Sequence, residues 1–252
     1  YDWSRTVDSY WEAGRAGFAR VEAPPLAGDE TAEVAIIGGG YCGLSAAYHL
    51  ARVGIEACVL EAGDIGWGAS GRNGGFCGIG GTWLGPDELK DIYGEDEALA
   101  FGRALIASVR LVDDLTREEN IDVKRQGDGI WTFAHKPSRM KELEDAAAFF
   151  GALGAPARIA TKAEFEREAF ASPQQFGALH EPVGFGLNPL AYCLGLAHAA
   201  ERRGARLHAR SRVTAWRREG GAHRLVTPSG SVTAKRVILA TGGWQPDDLH
   251  PA

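Results

Sequence analysis

Val34 to Gly63 reads VAIIGGGYCGLSAAYHLARVGIEACVLEAG, which is an apolar run, a glycine cluster, an amphipathic stretch and a second apolar run. Residues 33–38 predict a short buried strand, because Val34, Ala35, Ile36 and Ile37 form a continuous apolar run closed by glycine. Residues 41–53 predict a helix, with Leu44, Ala47, Tyr48 and Ala51 recurring along one face. Gly54 stops it, and residues 55–61 predict a second strand. Strand, helix and strand in so short a span make a βαβ half-unit, which sets the fold class as α/β.

The turn between the first strand and the helix contains G-x-G-x-x-G at Gly38, Gly40 and Gly43. The motif alone is weak in a glycine-rich chain, but here it follows a strand and opens a helix. Gly38 permits the tight turn, Gly40 lets backbone approach a pyrophosphate, and Gly43 lets helix pack on strand. Tyr41 and Cys42 fill the first helical turn, whose free N–H groups favour phosphate. Glu61, followed by Ala62, closes the second strand and can accept hydrogen bonds from ribose hydroxyls. An acid there disfavours NADP, whose 2′-phosphate it would repel. It leaves both NAD and FAD open.

Outward from this unit, a run dense in glycine covers residues 62–85, and Trp67, Phe76 and Trp83 within it favour an ordered loop. A long amphipathic helix is predicted over 95–120, a strand over 127–134, and a helix over 138–150 capped by Ser138. A short helix is expected at 161–169, and one or two strands at 176–185. Asn188 and Pro189 open a helix reaching Arg203, which Gly204 ends. Short strands are predicted over 205–209, 212–216, 224–226 and 231–234, and a last apolar strand over 237–240. The pattern is βαβ first, then a mixed insertion, then a return to sheet strands (α+β overall).

The 252 residues carry a net charge of −6, which argues against a nucleic-acid surface. No apolar run is long enough to span a bilayer, and residues 1–30 do not resemble a signal peptide. Cys42, Cys58, Cys77 and Cys193 are scattered, as free thiols of a cytoplasmic protein would be. The histidines are equally dispersed, so no metal site is expected.

The run 34–63 resembles the N-terminal signature of the two-dinucleotide-binding-domain flavoproteins. Residues 66–75, with Gly68, Ala69, Ser70, Arg72, Asn73, Gly74 and Gly75, resemble the D-amino-acid oxidase superfamily in its amine-oxidising branch. Within it the similarity is to the gamma-glutamylputrescine oxidase-like group of FAD-dependent oxidoreductases. Asn188-Pro189-Leu190 and Ala240-Thr241-Gly242-Gly243-Trp244 match looser segments of that group in the expected order.

The resemblance implies a Rossmann-like FAD-binding domain with an inserted mixed-sheet substrate domain. The division would be 1–125 and 188–252 for FAD binding, with 126–187 a partial substrate domain. The first βαβ would hold the ADP half of FAD, and the loop 68–75 would pass the pyrophosphate and ring. Gly71, Gly74 and Gly75 would permit close approach, with Arg72 and Asn73 as donors. Val213, in a strand over 212–216, would meet the adenine, while Ala240, Thr241 and Gly242 would follow a parallel strand into the site. No histidine lies between Glu61 and Gly85, so FAD is expected to be non-covalent in that loop.

The implied activity is an amine or amino-acid oxidase or dehydrogenase, tilted toward polyamine derivatives. Hydride would pass from the carbon beside the substrate nitrogen to the flavin, with O2 as the expected acceptor and peroxide released. His180 and Tyr192 are weak candidates for a base, and no catalytic residue is assigned. Members of the group run half as long again, and their C-terminal part is expected to be missing here. A chain truly ending at Ala252 would bind FAD poorly. A truncated or vestigial FAD-binding fragment without its own catalysis is therefore the alternative, and an NAD-linked dehydrogenase a third reading. Trp67, Phe76, Trp83 and Trp131 are candidates to line an apolar substrate passage.

Overall fold

The computed structural model describes residues 2–3, 5–6, 8–82, 84–243 and 249. Trp83 and Trp244 lie outside the described residues. In chain order the elements are β1 (Gly28–Ile37), α1 (Tyr41–Arg52), β2 (Ala57–Leu60), β3 (Phe76–Gly78), α2 (Pro86–Tyr93) and α3 (Glu95–Glu118). Then come β4 (Ile130–Phe133), α4 (Met140–Ala152), β5 (Arg158–Ala160), α5 (Lys162–Glu168), β6 (Ala178–Glu181) and β7 (Gly184–Gly186). The chain closes with α6 (Pro189–Arg202), β8 (Arg206–His208), β9 (Ala215–Glu219), β10 (Ala222–Thr227) and β11 (Gly230–Leu239). The mixed α/β character agrees with the sequence pattern.

Two compact units result: residues 1–74, 116–124 and 188–252 form the first, and 75–115 with 125–187 the second. Residues 75–115, grouped with the N-terminal portion in the sequence-based division, cluster with the second unit. One reason is that α3 lies tight against the end of α4, so that a Cβ on Gly102 would sit 2.6 Å from Leu153 Cδ1.

The first unit is built on a six-stranded sheet in the order β8-β2-β1-β11-β10-β9. The first four strands run parallel and the last two join antiparallel. Strand residues alternate between faces. Ile36 lies close behind Gly43 of α1, and α1 in turn packs on α6. Ala35 and Ile37 instead join Cys58, Leu60, Leu225 and Val232 in a second layer. Each fully buried aliphatic side chain there contributes about 1.5–3 kcal/mol.

Glu119 ties this unit together. It is almost wholly buried and accepts from Tyr48 Oη at 2.6 Å, Arg202 Nη2 at 2.5 Å and Arg203 Nη2 at 2.6 Å. Burial alone would raise its carboxyl, but the Tyr48 hydrogen bond and the two arginines outweigh that and hold it low.

Long pairing changes several boundaries. β1 starts at Gly28 rather than 33, because Gly28–Ala32 pair in register with Gly230–Ala234. The polar run Gly-Asp-Glu-Thr shows no strand periodicity, so only the partner strand extends it. The strands expected over 231–234 and 237–240 are one continuous β11, with Lys235 and Arg236 exposed in its middle. Ser138 does not cap a helix: Pro137 starts a 3-10 turn, and α4 begins at Met140 without a side-chain cap. The strand expected over 212–216 begins at Ala215, leaving Val213 in the segment before it. Helix α2 was not expected; Pro86 opens it, and the Glu88 carboxylate accepts from Gly85 N–H.

The second unit holds an antiparallel sheet β4-β6-β5 and the pair β3-β7. Leu143 and Phe150 of α4 pack on Leu179 of β6. At the end of β6, burial pushes the Glu181 carboxyl up to about 7. A carboxyl raised in the folded state lends stability that is whole below its ordinary value and disappears as pH rises through about 7. Glu181→Gln removes the ionisation. The variant is expected to gain about 1 kcal/mol over wild type between about pH 5 and pH 8, after allowance for the group's partial exposure. Denaturant unfolding at the two pH values checks this, and a pH-independent difference would contradict it.

Candidate functional site

The turn at the end of β1 is fixed by two close approaches. Gly38 has φ +115°, and a Cβ there would lie 2.5 Å from the Ala240 carbonyl oxygen. Inside α1, a Cβ on Gly43 would lie 2.0 Å from the Gly38 oxygen, well inside contact distance. Gly40 makes room for a neighbour: its Cβ would be 2.7 Å from Ser70 Oγ. That hydroxyl accepts from Tyr41 N–H at 3.0 Å, so a loop side chain caps the start of α1. The remaining first-turn N–H groups of a helix have no partner within it and favour an anion.

In front of this turn lies a cleft of about 540 Å³, within the first unit, at the carboxyl ends of parallel β1, β2 and β11. Open parallel sheets bind ligands at that end of their strands. Of the residues singled out from sequence, the cleft brings together Gly38, Gly40, Tyr41 and Cys42 of the turn with Glu61 and Ala62 after β2. Gly68, Ala69 and Ser70 of the glycine loop, Val213, and Ala240, Thr241 and Gly242 after β11 also line it. Gly43 supports the turn from behind. Trp3, Gly39, Trp67, Arg212 and Leu249 line the cleft too, although the motif reading did not single them out for it. Gly39 was legible inside the motif and Arg212 beside Val213. Nothing local marks Trp3 or Leu249, which arrive from distant parts of the chain.

Glu61 is the acid of the cleft. Its Oε2 accepts from Gly39 N–H at 2.6 Å and its Oε1 from Gly63 N–H at 2.9 Å. Burial raises its carboxyl, and the backbone donors of Gly63, Gly39 and Ala62 pull the other way without cancelling it. Each carboxylate oxygen keeps a further lone pair, enough for two neighbouring hydroxyls.

Residues 71–75 of the glycine loop are not among those lining the cleft. Asn73 Nδ2 donates to the carbonyls of Ser70 at 3.1 Å and Ala69 at 3.2 Å, so it holds the loop's own turn. Arg72 lies over the Trp67 ring, 4.4 Å from its centroid, and its Nε donates to Gly68 O at 3.3 Å. Its Nη2 is buried and makes no hydrogen bond. Gly74 ends one unit and Gly75 starts the other, and neither is among the residues lining the cleft.

The remaining candidates lie elsewhere. His180 is on β6 of the second unit, with Nε2 3.0 Å from Asp128 O and its ring against Trp131. Tyr192 is buried on α6 with its ring 5.1 Å from Tyr41. Phe76 is largely exposed. Among the described residues the four cysteines are unpaired, and no helix is long and apolar enough to cross a membrane.

Known proteins are similar to this chain in sequence and in fold. Residues 33–252 match the family described as FAD dependent oxidoreductase. The gamma-glutamylputrescine oxidoreductase of Escherichia coli is 31% identical over 97% of this chain and 56% of its own length. A glycine oxidase of Bacillus licheniformis is 29% identical over 83% of this chain and 53% of its own. The crystal structure of glycine oxidase from Geobacillus kaustophilus superposes with a TM-score of 0.70 at 27% identity, covering 85% of this chain and 56% of that one. The chain spans about half the length of the curated relatives it matches. With a family match that spans residues 33–252, the chain belongs to the FAD dependent oxidoreductases.

Proposed function

We propose that the cleft of the first unit holds the ADP half of FAD in an enzyme that oxidises the C–N bond of a small amine or amino acid. The observation that carries this reading is the half-buried Glu61 carboxylate facing the glycine turn across one cleft. The residues present fit the group. A phosphate can approach where Gly38 and Gly40 lack side chains, and the start of α1 offers N–H groups and a positive dipole end. Glu61 would accept from the ribose hydroxyls, while Val213 gives the adenine an apolar wall. Arg72 Nη2, a buried donor with no acceptor of its own, suits an anionic or carbonyl oxygen.

Bound FAD supplies a two-electron acceptor for the substrate's C–N bond. The chain's own part is positional: the glycine turn sets where the cofactor lies, and the loop 68–75 fixes its path. Kinship to gamma-glutamylputrescine oxidoreductase favours polyamine derivatives, and kinship to glycine oxidases favours amino acids. With O2 as acceptor, peroxide would be the second product. Four unpaired thiols support a cytoplasmic setting.

The test uses the full-length protein, purified and assayed for bound flavin and for peroxide release across a panel of polyamine derivatives and amino acids. Stoichiometric FAD released on denaturation, together with turnover of one substrate class, is expected. A colourless protein that takes up no FAD on reconstitution would overturn the reading.

A further inference from the structure

Behind the cleft, β1, β2 and β8 bring together three residues that the sequence scatters. Ligand-type atoms of Glu30, Cys58 and His208 all lie within 4.8 Å of one another. Cys58 is fully buried and His208 is 8% exposed. The imidazole's tautomer follows from its surroundings. Nδ1 lies 3.1 Å from Pro24 O, and a carbonyl only accepts, so Nδ1 carries the hydrogen. Nε2 then presents its lone pair. It is buried, makes no hydrogen bond, and has Glu30 Oε1 at 3.4 Å, another acceptor. A buried imidazole lone pair and an oxygen of half-buried Glu30 aimed at one another are favourable only with a cation, a proton or a metal ion, between them, and Cys58 Sγ beside both supplies a third metal-type donor.

We propose that Glu30 Oε1, Cys58 Sγ and His208 Nε2 ligate a divalent cation of the zinc class. Mixed carboxylate, thiolate and imidazole donors suit that borderline-soft ion. On binding, the thiol proton of Cys58 leaves to solvent and a sulfur–metal bond forms. Thiolate and carboxylate then offset the divalent ion, and the one remaining positive charge sits on Arg206, whose side chain is 40% exposed to solvent. Outer contacts hold the ligands in place. Arg206 donates to the other carboxylate oxygen of Glu30 and to Thr31 O, and Pro24 O fixes the imidazole. A surface groove of about 650 Å³, lined by Pro24, Arg206 and His208, reaches the imidazole from outside. The site also touches the nucleotide cleft through backbone, since His208 O accepts from Glu61 N–H at 2.9 Å.

The test is a Co(II) titration of the full-length protein after chelator treatment, read by absorbance. One equivalent is expected to give a thiolate-to-cobalt charge-transfer band that Zn(II) abolishes by displacement. Cys58→Ser is expected to lose the band. Glu30→Gln and His208→Gln are expected to keep a thiolate band but to bind about tenfold or more weakly. These two variants decide the matter if Cys58→Ser fails to fold by circular dichroism. No band in wild type, an undiminished band in Cys58→Ser, or wild-type affinity in both Glu30→Gln and His208→Gln would overturn the proposal.

Discussion

Gly43→Ala is expected to lower the chain's stability by about 3 kcal/mol or more and to leave it unable to retain FAD. One methyl group does this because of where it must sit. The Cβ would lie 2.0 Å from the Gly38 oxygen and 3.2 Å from Ile36 Cγ2. Neither neighbour can swing aside, since one is backbone of the turn and the other is packed in β1. The start of α1 would have to lift off the sheet, and overpacking of that kind costs about 1–3 kcal/mol even where side chains can yield. Lifting α1 also moves its N-terminal amides away from the proposed phosphate position, so affinity is expected to fall with stability. Gly151→Ala is the control. It lies in α4 with nothing near its Cβ position, and there alanine is expected to stabilise by about 0.5–1 kcal/mol. Thermal unfolding and flavin content of the two variants test the contrast. A Gly43→Ala protein that melts like wild type and retains its FAD would show that helix and strand have slack there.

Residues whose structure depends on near neighbours were legible in the chain. The apolar run 34–37, the spacing of Leu44, Ala47, Tyr48 and Ala51, and the Asn188-Pro189 helix start all rest on local chemistry. In the structure Asn188 Oδ1 accepts from Ala191 N–H at 3.0 Å, a contact three residues long. Features set by distant partners were not legible. Gly28–Ala32 is a strand because Gly230–Ala234 lies beside it, and the sequence between the two says nothing of that pairing.

The same distinction sorts the site residues. Gly38 and Gly43 follow from the turn itself, whereas Gly40 owes its smallness in part to Ser70, which the fold delivers from the loop. The motif marks Asn73 as a ligand donor, and in the structure its amide secures the carbonyls of Ala69 and Ser70, a role that only the folded loop reveals. The trio Glu30, Cys58 and His208 escaped spacing rules altogether, since each comes from a different strand. Metal spacings within one helix or loop are visible in a sequence, and those across a sheet are not.

Glu61→Gln is expected to weaken FAD binding about tenfold to hundredfold, and the loss should vanish at low pH. Glutamine keeps the shape of the side chain but replaces one acceptor oxygen with an amide donor. That nitrogen would face either Gly39 N–H or Gly63 N–H, both of which now donate to the carboxylate. A hydrogen bond to a charged group contributes about 1.5–3 kcal/mol, which sets the expected range. Burial holds the Glu61 carboxyl above its ordinary range, against the pull of the backbone donors. Its contribution to stability is therefore whole below the ordinary carboxylate range and is lost as pH rises through the raised folded value. Cofactor binding runs the opposite way, because only the ionised form accepts at both oxygens. Wild-type affinity should thus fall on acidification through that raised value, while the glutamine variant stays flat. In unfolding without FAD, the variant should gain on wild type as pH rises. Titration of FAD by quenching of its fluorescence, at several pH values, reads the first effect, and denaturant unfolding reads the second. Equal affinities for the two proteins at neutral pH would remove the ribose from Glu61's role, whatever the stability curves showed.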